Sequence, residues 1–336
     1  MKDQRPTLEA VAARAGVGRG TASRVINGSG RVSQASREAV LHAVEELGYV
    51  PNQAARALVR QRTDTVAFVA GVTEDRGFWE DPFYSPLVRG ATSALAAEGI
   101  QLLLAVAQSR QEHAQLTAFL EARHVDGVLL SSLHDGDPLP SRLDARGVPT
   151  VFVGAPTGYT SDYGVDLDNE VGARRAAQHL IGRSRRRMAV ITGPLGIQAS
   201  VDRWRGFRIA LAEAGLVQGP VMHGDFTRAS GAEAMRHLLA CDRDVDAVFA
   251  ANDLMAAGAL DVLRESGRRV PDDVAVVGFD DTWVAAATDP PLTSIHQPIE
   301  DMGREAARLM LARLRQEDVP ERTVIFEPRL VVRDSA

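Results

Sequence analysis

Cysteine and long apolar segments are nearly absent from this sequence. Cys241 is the only cysteine among 336 residues, which excludes an internal disulfide framework and a cysteine-based zinc site. No apolar run approaches the ~18 residues that a membrane helix requires, and no apolar stretch follows the charged N-terminus as it would in a secretory signal. These absences predict a cytoplasmic protein that does not enter a membrane.

Signatures of the common enzyme classes are missing as well. The sequence contains no G-x-x-x-x-G-K-[ST] phosphate loop, no G-x-S-x-G nucleophile elbow and no H-E-x-x-H metal motif. No histidine or third carboxylate lies near Asp280-Asp281 in sequence to complete a metal site. We therefore expect a protein that is not an enzyme and that needs no metal or cofactor.

The chain is long enough for more than one domain, and its charge is unevenly distributed. With 336 residues, 45% hydrophobic and 24% charged, two or three folded domains are expected. The first 62 residues (the head) have ten Lys and Arg against five Asp and Glu, a net charge of +5, whereas the whole chain has −6. A basic head on an acidic body (residues 63–336) is typical of a DNA-binding module joined to another domain. A solvated basic surface is the alternative interpretation.

Three short helices are predicted in the head. Thr7 can cap the first helix, whose apolar residues share one face at helical spacing. Gly16-Val17-Gly18 ends it, and a second helix is predicted from Arg19 to Ile26. Ser33 can cap a third helix that ends at Gly48. Two short helices joined by a glycine-containing turn are typical of a helix-turn-helix.

The second helix carries the candidate base-reading side chains. In a helix-turn-helix, the N-terminal residues of this helix contact base edges in the major groove: Arg19, Gly20, Thr21, Ser23 and Arg24. Arg24 can donate two hydrogen bonds to one guanine. Another group is suited to phosphate oxygens: Thr7, Asn27, Arg31 and Ser33. The alternative is that residues 19–27 are simply an exposed helix.

After Thr63 the pattern changes to alternating strands and helices. Short aliphatic runs such as Val66–Val69 and Met188–Thr192 alternate with Ala-rich stretches of helical length. This alternation predicts parallel, doubly wound sheets. At least seven such units are present, which is more than one compact sheet usually holds, so two similar lobes are expected.

A dense set of motifs runs through the head: Val11-Ala12, Ala15-Gly16-Val17, Thr21-x-Ser23-Arg24-Val25-x-Asn27, Val32-Ser33, Gly48-Tyr49-x-Pro51-Asn52 and the stretch from Ala55 to Leu58. Together they closely resemble the head of the lactose-repressor (LacI/GalR) family of transcription regulators. The resemblance implies a helix-turn-helix DNA-binding domain over residues 1–50 and a hinge over residues 51–62.

The resemblance also implies how the hinge contacts DNA. Residues 52–59 would form a helix in the minor groove, where Leu58 wedges a central base step and Ala55 faces the groove floor. Tyr49 and Asn52 complete the implied DNA contacts. Leu58 could instead pack on the body. Arg19-Gly20 replaces the larger polar pair common in the family, so the operator of a relative does not transfer to this chain.

Looser landmarks extend the resemblance through the body: Asp81-Pro82-Phe83-Tyr84, Val165-Asp166-Leu167-Asp168-Asn169, Gly206-Phe207, Ala251-Asn252-Asp253, Val277-Gly278-Phe279-Asp280-Asp281 and Thr293-Ser294-x-x-Gln297-Pro298. It implies an all-α helix-turn-helix head and a ligand-binding and dimerisation domain over 63–336. That α/β body is similar to periplasmic sugar-binding proteins and has two lobes of parallel, doubly wound sheets. Lobe one is expected at about 63–163 plus 293–319, and lobe two at about 164–292 plus 320–333.

By the same resemblance five residues lie in the cleft between the lobes: Phe83, Arg203, Phe226, Asn252 and Asp280. Asn252 and Asp280 each follow a strand, where open α/β sheets bind ligands. Arginine, carboxylate and amide groups together suit vicinal hydroxyls, and the two phenylalanines could stack on a ring or belong to the core. Arg203 and Asp280 could instead form a structural ion pair. Gly154 and Ala199 replace polar groups of relatives, which predicts a roomier or less polar pocket.

The combined expectation is a sequence-specific DNA-binding transcription regulator, a repressor controlled by a small-molecule effector. The expected effector is a sugar or sugar derivative; a purine-like effector or co-repressor is the alternative, and a solute-binding protein without DNA function is a distant one. Half-site recognition favours a homodimer on double-stranded, pseudo-palindromic operator DNA. No leucine heptad follows the last predicted strands, Val324–Glu327 and Leu330–Arg333, so no tetramer is expected.

Overall fold

The computed structural model divides the chain into two units, Met1–Thr63 and Asp64–Ala336. It describes residues 6–28, 30–50, 62–71, 78–107, 109–131, 134–154 and 162–336. The hinge helix predicted at residues 52–59 lies outside these ranges, as do the DNA contacts predicted within it: Asn52, Ala55 and Leu58.

Three helices form the head: α1 (Leu8–Arg14), α2 (Arg19–Ile26) and α3 (Gln34–Leu47). The Thr7 hydroxyl caps α1 by accepting from the Ala10 N–H at 3.3 Å, and the Ser33 hydroxyl caps α3 in the same way. α3 ends at Gly48, whose φ of 60° lies in the left-handed region that glycine adopts without strain. A small apolar core joins the helices: Val11, Ala12, Ala22, Val25, Val40 and Ala43. The predicted helices and caps are confirmed.

The body alternates strands and helices as the sequence pattern predicts. Its strands are β1 (Thr65–Ala70), β2 (Gln101–Ala105), β3 (Gly127–Ser131), β4 (Thr150–Val153), β5 (Gly164–Leu167), β6 (Met188–Thr192), β7 (Val221–His223), β8 (Ala247–Ala250), β9 (Ala275–Asp280), β10 (Thr293–His296), β11 (Thr323–Phe326) and β12 (Arg329–Val331). Its helices are α4 (Tyr84–Ala97), α5 (Arg110–Glu121), α6 (Leu139–Ala145), α7 (Asn169–Gly182), α8 (Gln198–Glu213), α9 (Arg228–Cys241), α10 (Asp253–Glu265), α11 (Trp283–Ala287) and α12 (Ile299–Arg315).

The strands form two six-stranded sheets, and each sheet is the centre of one lobe. In lobe one the order is β2-β1-β3-β4-β5-β11, with every neighbouring pair parallel. In lobe two the order is β7-β6-β8-β9-β10-β12, parallel except for the β10–β12 pair. The prediction of a two-lobed α/β body with parallel, doubly wound sheets is confirmed.

The strand pairing corrects the predicted lobe boundaries. β5 and β11 pair with each other in the sheet of lobe one, whereas the predicted boundaries assign both to lobe two. β10 pairs with β9 in lobe two, whereas the predicted boundaries assign it to lobe one. Each crossing of the chain between lobes therefore occurs one strand later than predicted. Apolar periodicity identifies a strand but not the sheet that it joins.

Close helix packing positions the lobe-one side of the cleft. α12 lies against α4, where Gly90 and Gly303 leave room for the two backbones to approach. A Cβ at Gly90 would overlap the Glu300 carbonyl, and one at Gly303 would overlap the Leu87 carbonyl. This packing fixes the N-terminal end of α12, which contributes Met302 to the cleft.

Candidate functional site

The base-reading residues predicted on α2 lie on an accessible face of the head. Arg19, Gly20 and Arg24 are exposed, while Thr21 and Ser23 are half-buried. The Arg19 Nε lies 2.9 Å from a carboxylate oxygen of Glu9, and the Arg24 Nε donates to the Gly20 carbonyl at 3.1 Å. Exposed contacts of this kind contribute little stability. Both guanidinium groups can therefore exchange these partners for DNA.

The residues predicted to bind phosphate lie at helix ends. Thr7 and Ser33 are the exposed N-caps of α1 and α3, where backbone N–H groups and the helix dipole favour an anion. Asn27 ends α2 and donates to the Ser23 hydroxyl at 3.2 Å. Arg31 is exposed, and Tyr49 packs against the core of the head. Thr7, Arg31 and Ser33 are thus accessible, and the contacts of the whole group with the DNA backbone stay a prediction.

A cleft opens in the body between the two lobes. Its free space, counted with the open mouth, is about 620 Å³. The five predicted ligand residues line it, as do Gly154 and Ala199. Four polar lining residues were not among the predicted ligand residues: Asp81, Asp166, Asn169 and Gln297.

Arg203 is held in one orientation by several partners. Only 5% of the residue is exposed. Its Nε donates to the Asn169 amide oxygen at 2.8 Å, its Nη1 donates to the Ala251 carbonyl at 2.6 Å, and its Cζ lies 3.7 Å from the centre of the Phe279 ring. Burial lowers the pKa of Arg203 from its usual value, and the nearby Asp280 carboxylate opposes this shift.

Asp280 lines the cleft beside the Arg203 guanidinium. Its Oδ1 lies 3.2 Å from the Arg203 Nη1 and accepts a hydrogen bond from the Gln297 amide. Its φ of 98° is strained for a residue with a side chain, and such strain clusters at ligand sites. The next residue, Asp281, has a φ of 52° and accepts from Arg333 at 2.7 Å. The ion pair considered as an alternative is thus present, and it lines the cleft.

Asn252 has its amide engaged within lobe two. Its Oδ1 accepts from the Met255 N–H at 2.9 Å, which caps α10, and its Nδ2 donates to the Phe226 carbonyl at 2.9 Å. Phe226 has a φ of 73°, so this hydrogen bond holds a strained backbone in place. Asn252 therefore lines the cleft and also positions the aromatic residue beside it.

Aromatic rings from both lobes line the cleft. Phe226 of lobe two is buried among apolar side chains, and its ring covers Gly193 so closely that a Cβ there would overlap it. Phe83 of lobe one is half-buried, with its ring centre 5.5 Å from that of Tyr84 in an edge-on arrangement. The alternative that Phe226 belongs to the core is therefore partly correct. Its ring is part of the core of lobe two and also lines the cleft.

Two carboxyl groups near the cleft have raised pKa values. Burial raises the pKa of Asp166 to about 6, against the opposing effects of the Leu167 N–H and the Arg203 charge. Burial, together with the Asp280 charge, raises the pKa of Asp253 to about 8. Asp253 accepts from the Thr282 N–H at 2.7 Å, and so braces the backbone that follows Asp280.

No helix in the described ranges is both long and apolar enough to cross a membrane. Nor do three or more His, Cys, Asp or Glu side chains in that part of the chain form a group that could hold a metal ion.

Known proteins resemble this chain over nearly its whole length. Residues 7–52 match the family of bacterial regulatory proteins described as the lacI family, and residues 177–336 match the periplasmic binding protein-like domain. The HTH-type transcriptional regulator CelR of Thermobifida fusca is 54% identical over 336 residues, which cover 99% of this chain and 98% of that protein.

Two solved structures share the fold. A transcriptional regulator CelR–cellobiose complex has a TM-score of 0.79 and 51% identity, covering 99% of this chain and 100% of that one. The lac repressor dimer bound to operator and the anti-inducer ONPF has a TM-score of 0.86 and 27% identity, covering 99% of each chain. The similarity therefore extends over both the head and the body.

Proposed function

The chain belongs to the lacI family of bacterial regulatory proteins, and from that membership and its two sites we propose that it is a repressor whose operator binding is controlled by a sugar. One observation carries the proposal. A single chain combines an accessible helix-turn-helix surface with a cleft lined by a buried guanidinium, carboxylates and aromatic rings. A regulator of this kind binds and releases its effector unchanged, without catalysis.

The proposed effector is cellobiose or a closely related disaccharide. A relative that is 54% identical is named CelR, and a CelR–cellobiose complex matches 99% of this chain. The cleft suits a sugar because Arg203 and Asp280 offer a donor and an acceptor for hydroxyl groups. Phe83 and Phe226 offer ring faces. Since these rings could also stack on a purine, a purine-like effector is the second candidate.

The proposed functional unit is a homodimer that acts in the cytoplasm on a pseudo-palindromic operator. One head makes few base contacts, and two-fold dimers that bind paired half-sites overcome this weakness. The lac repressor structure, 27% identical over 99% of this chain, is a dimer bound to operator and supports the same arrangement.

Operator binding in the presence of candidate effectors tests the proposal. An operator is selected from random double-stranded DNA, and its complex with the full chain is followed by fluorescence anisotropy. We expect cellobiose to weaken binding, and ribose and hypoxanthine to have no effect. A response to hypoxanthine alone would favour the purine-like effector, and a response to none of the three would contradict the proposed effector.

Two substitutions separate the functions of head and cleft. Arg24→Ala should reduce the preference for operator over random DNA by about 1–3 kcal/mol and leave cellobiose binding unchanged. Asp280→Ala should retain operator binding and lose the cellobiose response. Arg37→Ala is the control: it removes an equally exposed charge on α3 and should preserve the preference for operator. A wild-type response in Asp280→Ala would contradict the assignment of the cleft.

A further inference from the structure

Among the described residues that line the cleft, carboxylates outnumber cations. Among the described lining residues, Asp81, Asp166 and Asp280 face one guanidinium, that of Arg203. Arg203 and Asp280 are already paired at 3.2 Å. A negatively charged ligand would therefore meet two further carboxylates in a partly desolvated space, where like charges repel strongly.

Arg203 is poorly placed to offset that repulsion. Its Nε is committed to the Asn169 amide oxygen, and its Nη1 to the Ala251 carbonyl and to Asp280. Its planar group also stacks on the Phe279 ring. A bidentate contact between arginine and phosphate uses two parallel N–H donors of the guanidinium, and Arg203 already uses its Nε and Nη1 in these contacts.

Asp166 is a lobe-one carboxylate of the cleft with one oxygen available to a ligand. It lies in β5, whereas Arg203 and Asp280 belong to lobe two. Its Oδ1 accepts from the Leu167 N–H at 2.7 Å and from the Asn169 amide at 3.2 Å. These contacts fix the carboxylate, and its Oδ2 has no hydrogen-bond donor among the described residues.

We infer that Asp166 binds hydroxyl groups of an uncharged sugar from lobe one and makes the cleft reject sugars that carry a phosphate or a carboxylate. The inference rests on the proposed sugar effector. It adds that Asp166 of lobe one contacts the sugar and that the sugar recognised is uncharged. A hydroxyl group can donate to the Asp166 Oδ2, whereas an ionised phosphate or carboxylate has no proton to donate. Phosphorylation of the sugar would therefore remove the signal.

Isothermal titration of matched ligands and variants tests this inference. The ligands are cellobiose and its analogue with one CH₂OH oxidised to a carboxylate, titrated above the pKa of Asp166. Wild type should bind cellobiose at least about 100-fold more tightly than the analogue. Asp166→Asn, which retains an acceptor for the Leu167 N–H, should bind cellobiose about 10-fold more weakly and the analogue more tightly.

The control is Asp318→Asn, which removes a carboxylate that is 95% exposed and does not line the cleft. This variant should keep the wild-type selectivity, and thermal melting should show that both variants are folded. An unchanged selectivity in Asp166→Asn, with cellobiose bound by wild type, would overturn this inference alone. A wild-type protein that binds neither ligand would overturn it together with the proposed cellobiose effector.

Discussion

Arg203 lines the cleft, where we propose that it binds the effector, and it also joins several elements of lobe two. From α8 it donates to the carbonyl that follows β8 and to the amide at the start of α7, and it pairs with Asp280 at the end of β9. A buried charge that loses its partner costs more than the pair contributes, because the remaining charge stays desolvated. Substitutions here therefore change folding as well as binding, and the two effects need to be separated.

A double-mutant cycle in urea unfolding separates them. Arg203→Met should lower the free energy of unfolding by about 3–5 kcal/mol, since it leaves the buried Asp280 carboxylate without the opposite charge of Arg203. Adding Asp280→Asn to the same chain should recover about 1–3 kcal/mol, because the unpaired charge is then removed. The double variant should still lack the cellobiose response. If the stability losses of Arg203→Met and of Asp280→Asn alone add up to the loss in the double variant, the two residues are not coupled by an ion pair.

For single residues, the sequence predicts which side chains line the cleft better than it predicts which groups those side chains contact. The rule that ligands bind beyond strand ends found Asn252 and Asp280, but the helix cap and the Phe226 contact of Asn252 depend on tertiary structure. The same rule applied to the end of β5 would have found Asp166. That residue was quoted only as part of a family landmark.

Among the elements, the chain crossings were predicted less accurately than the helices. The α2 and α3 boundaries follow from local signals, namely glycine breaks and a serine cap, that act within one turn of helix. Which lobe takes β5, β10 or β11 depends on pairing between strands far apart in sequence, as for β5 and β11. No local pattern encodes that choice, so each predicted crossing was one strand early.

A tight turn of lobe one touches lobe two at the cleft. The Asp135 N–H donates to the Gly196 carbonyl at 2.9 Å, one residue before Ile197 of the cleft lining. The turn is closed by the Asp137 N–H donating to the His134 carbonyl at 3.2 Å, with Gly136 at a φ of 77°. A positive φ at the third position is typical of a type II turn, which favours proline at its second position. Proline at position 135 should therefore fit the turn and remove the donor.

Asp135→Pro should weaken cellobiose binding by about 2- to 12-fold, the equivalent of one net hydrogen bond between the lobes. The loss should appear mainly as faster dissociation, because this hydrogen bond ties the two lobes together beside the cleft and so opposes its opening. Asp135→Ala keeps the backbone N–H and should bind as wild type does. Stopped-flow fluorescence measures both rates. Equal dissociation from the proline and alanine variants would contradict a role for this hydrogen bond.

Across the whole molecule, the charge distribution suits the proposed division of labour. The first 62 residues carry a net +5 within a chain of net −6, so the head attracts DNA while the body is strongly acidic. If the effector changes operator affinity by some factor, the operator must change effector affinity by the same factor. Cleft variants and head variants should therefore be compared in both binding assays.

Stability of the whole protein should also depend on pH through Asp253. This residue is 1% exposed and beside Asp280, and burial raises its pKa from 3.8 to about 8. Between these two values the folded protein holds a proton that the unfolded chain has released. Stability therefore falls as pH rises through this window and levels off above it. Asp166 contributes in the same direction only up to about pH 6, so higher pH isolates the contribution of Asp253.

Asp253→Asn removes the titrating group and keeps a polar side chain for the Thr282 and Ser294 contacts. Urea unfolding at several pH values should show the wild type losing stability relative to this variant by about 1.4 kcal/mol per pH unit, from about pH 6 to about pH 8. Histidines and other groups that do not interact with Asp253 cancel in the difference. Parallel stability curves for the two proteins would mean that Asp253 is ionised at neutral pH, in which case its neighbours Ser294 and Thr282 would be stabilising a buried charge.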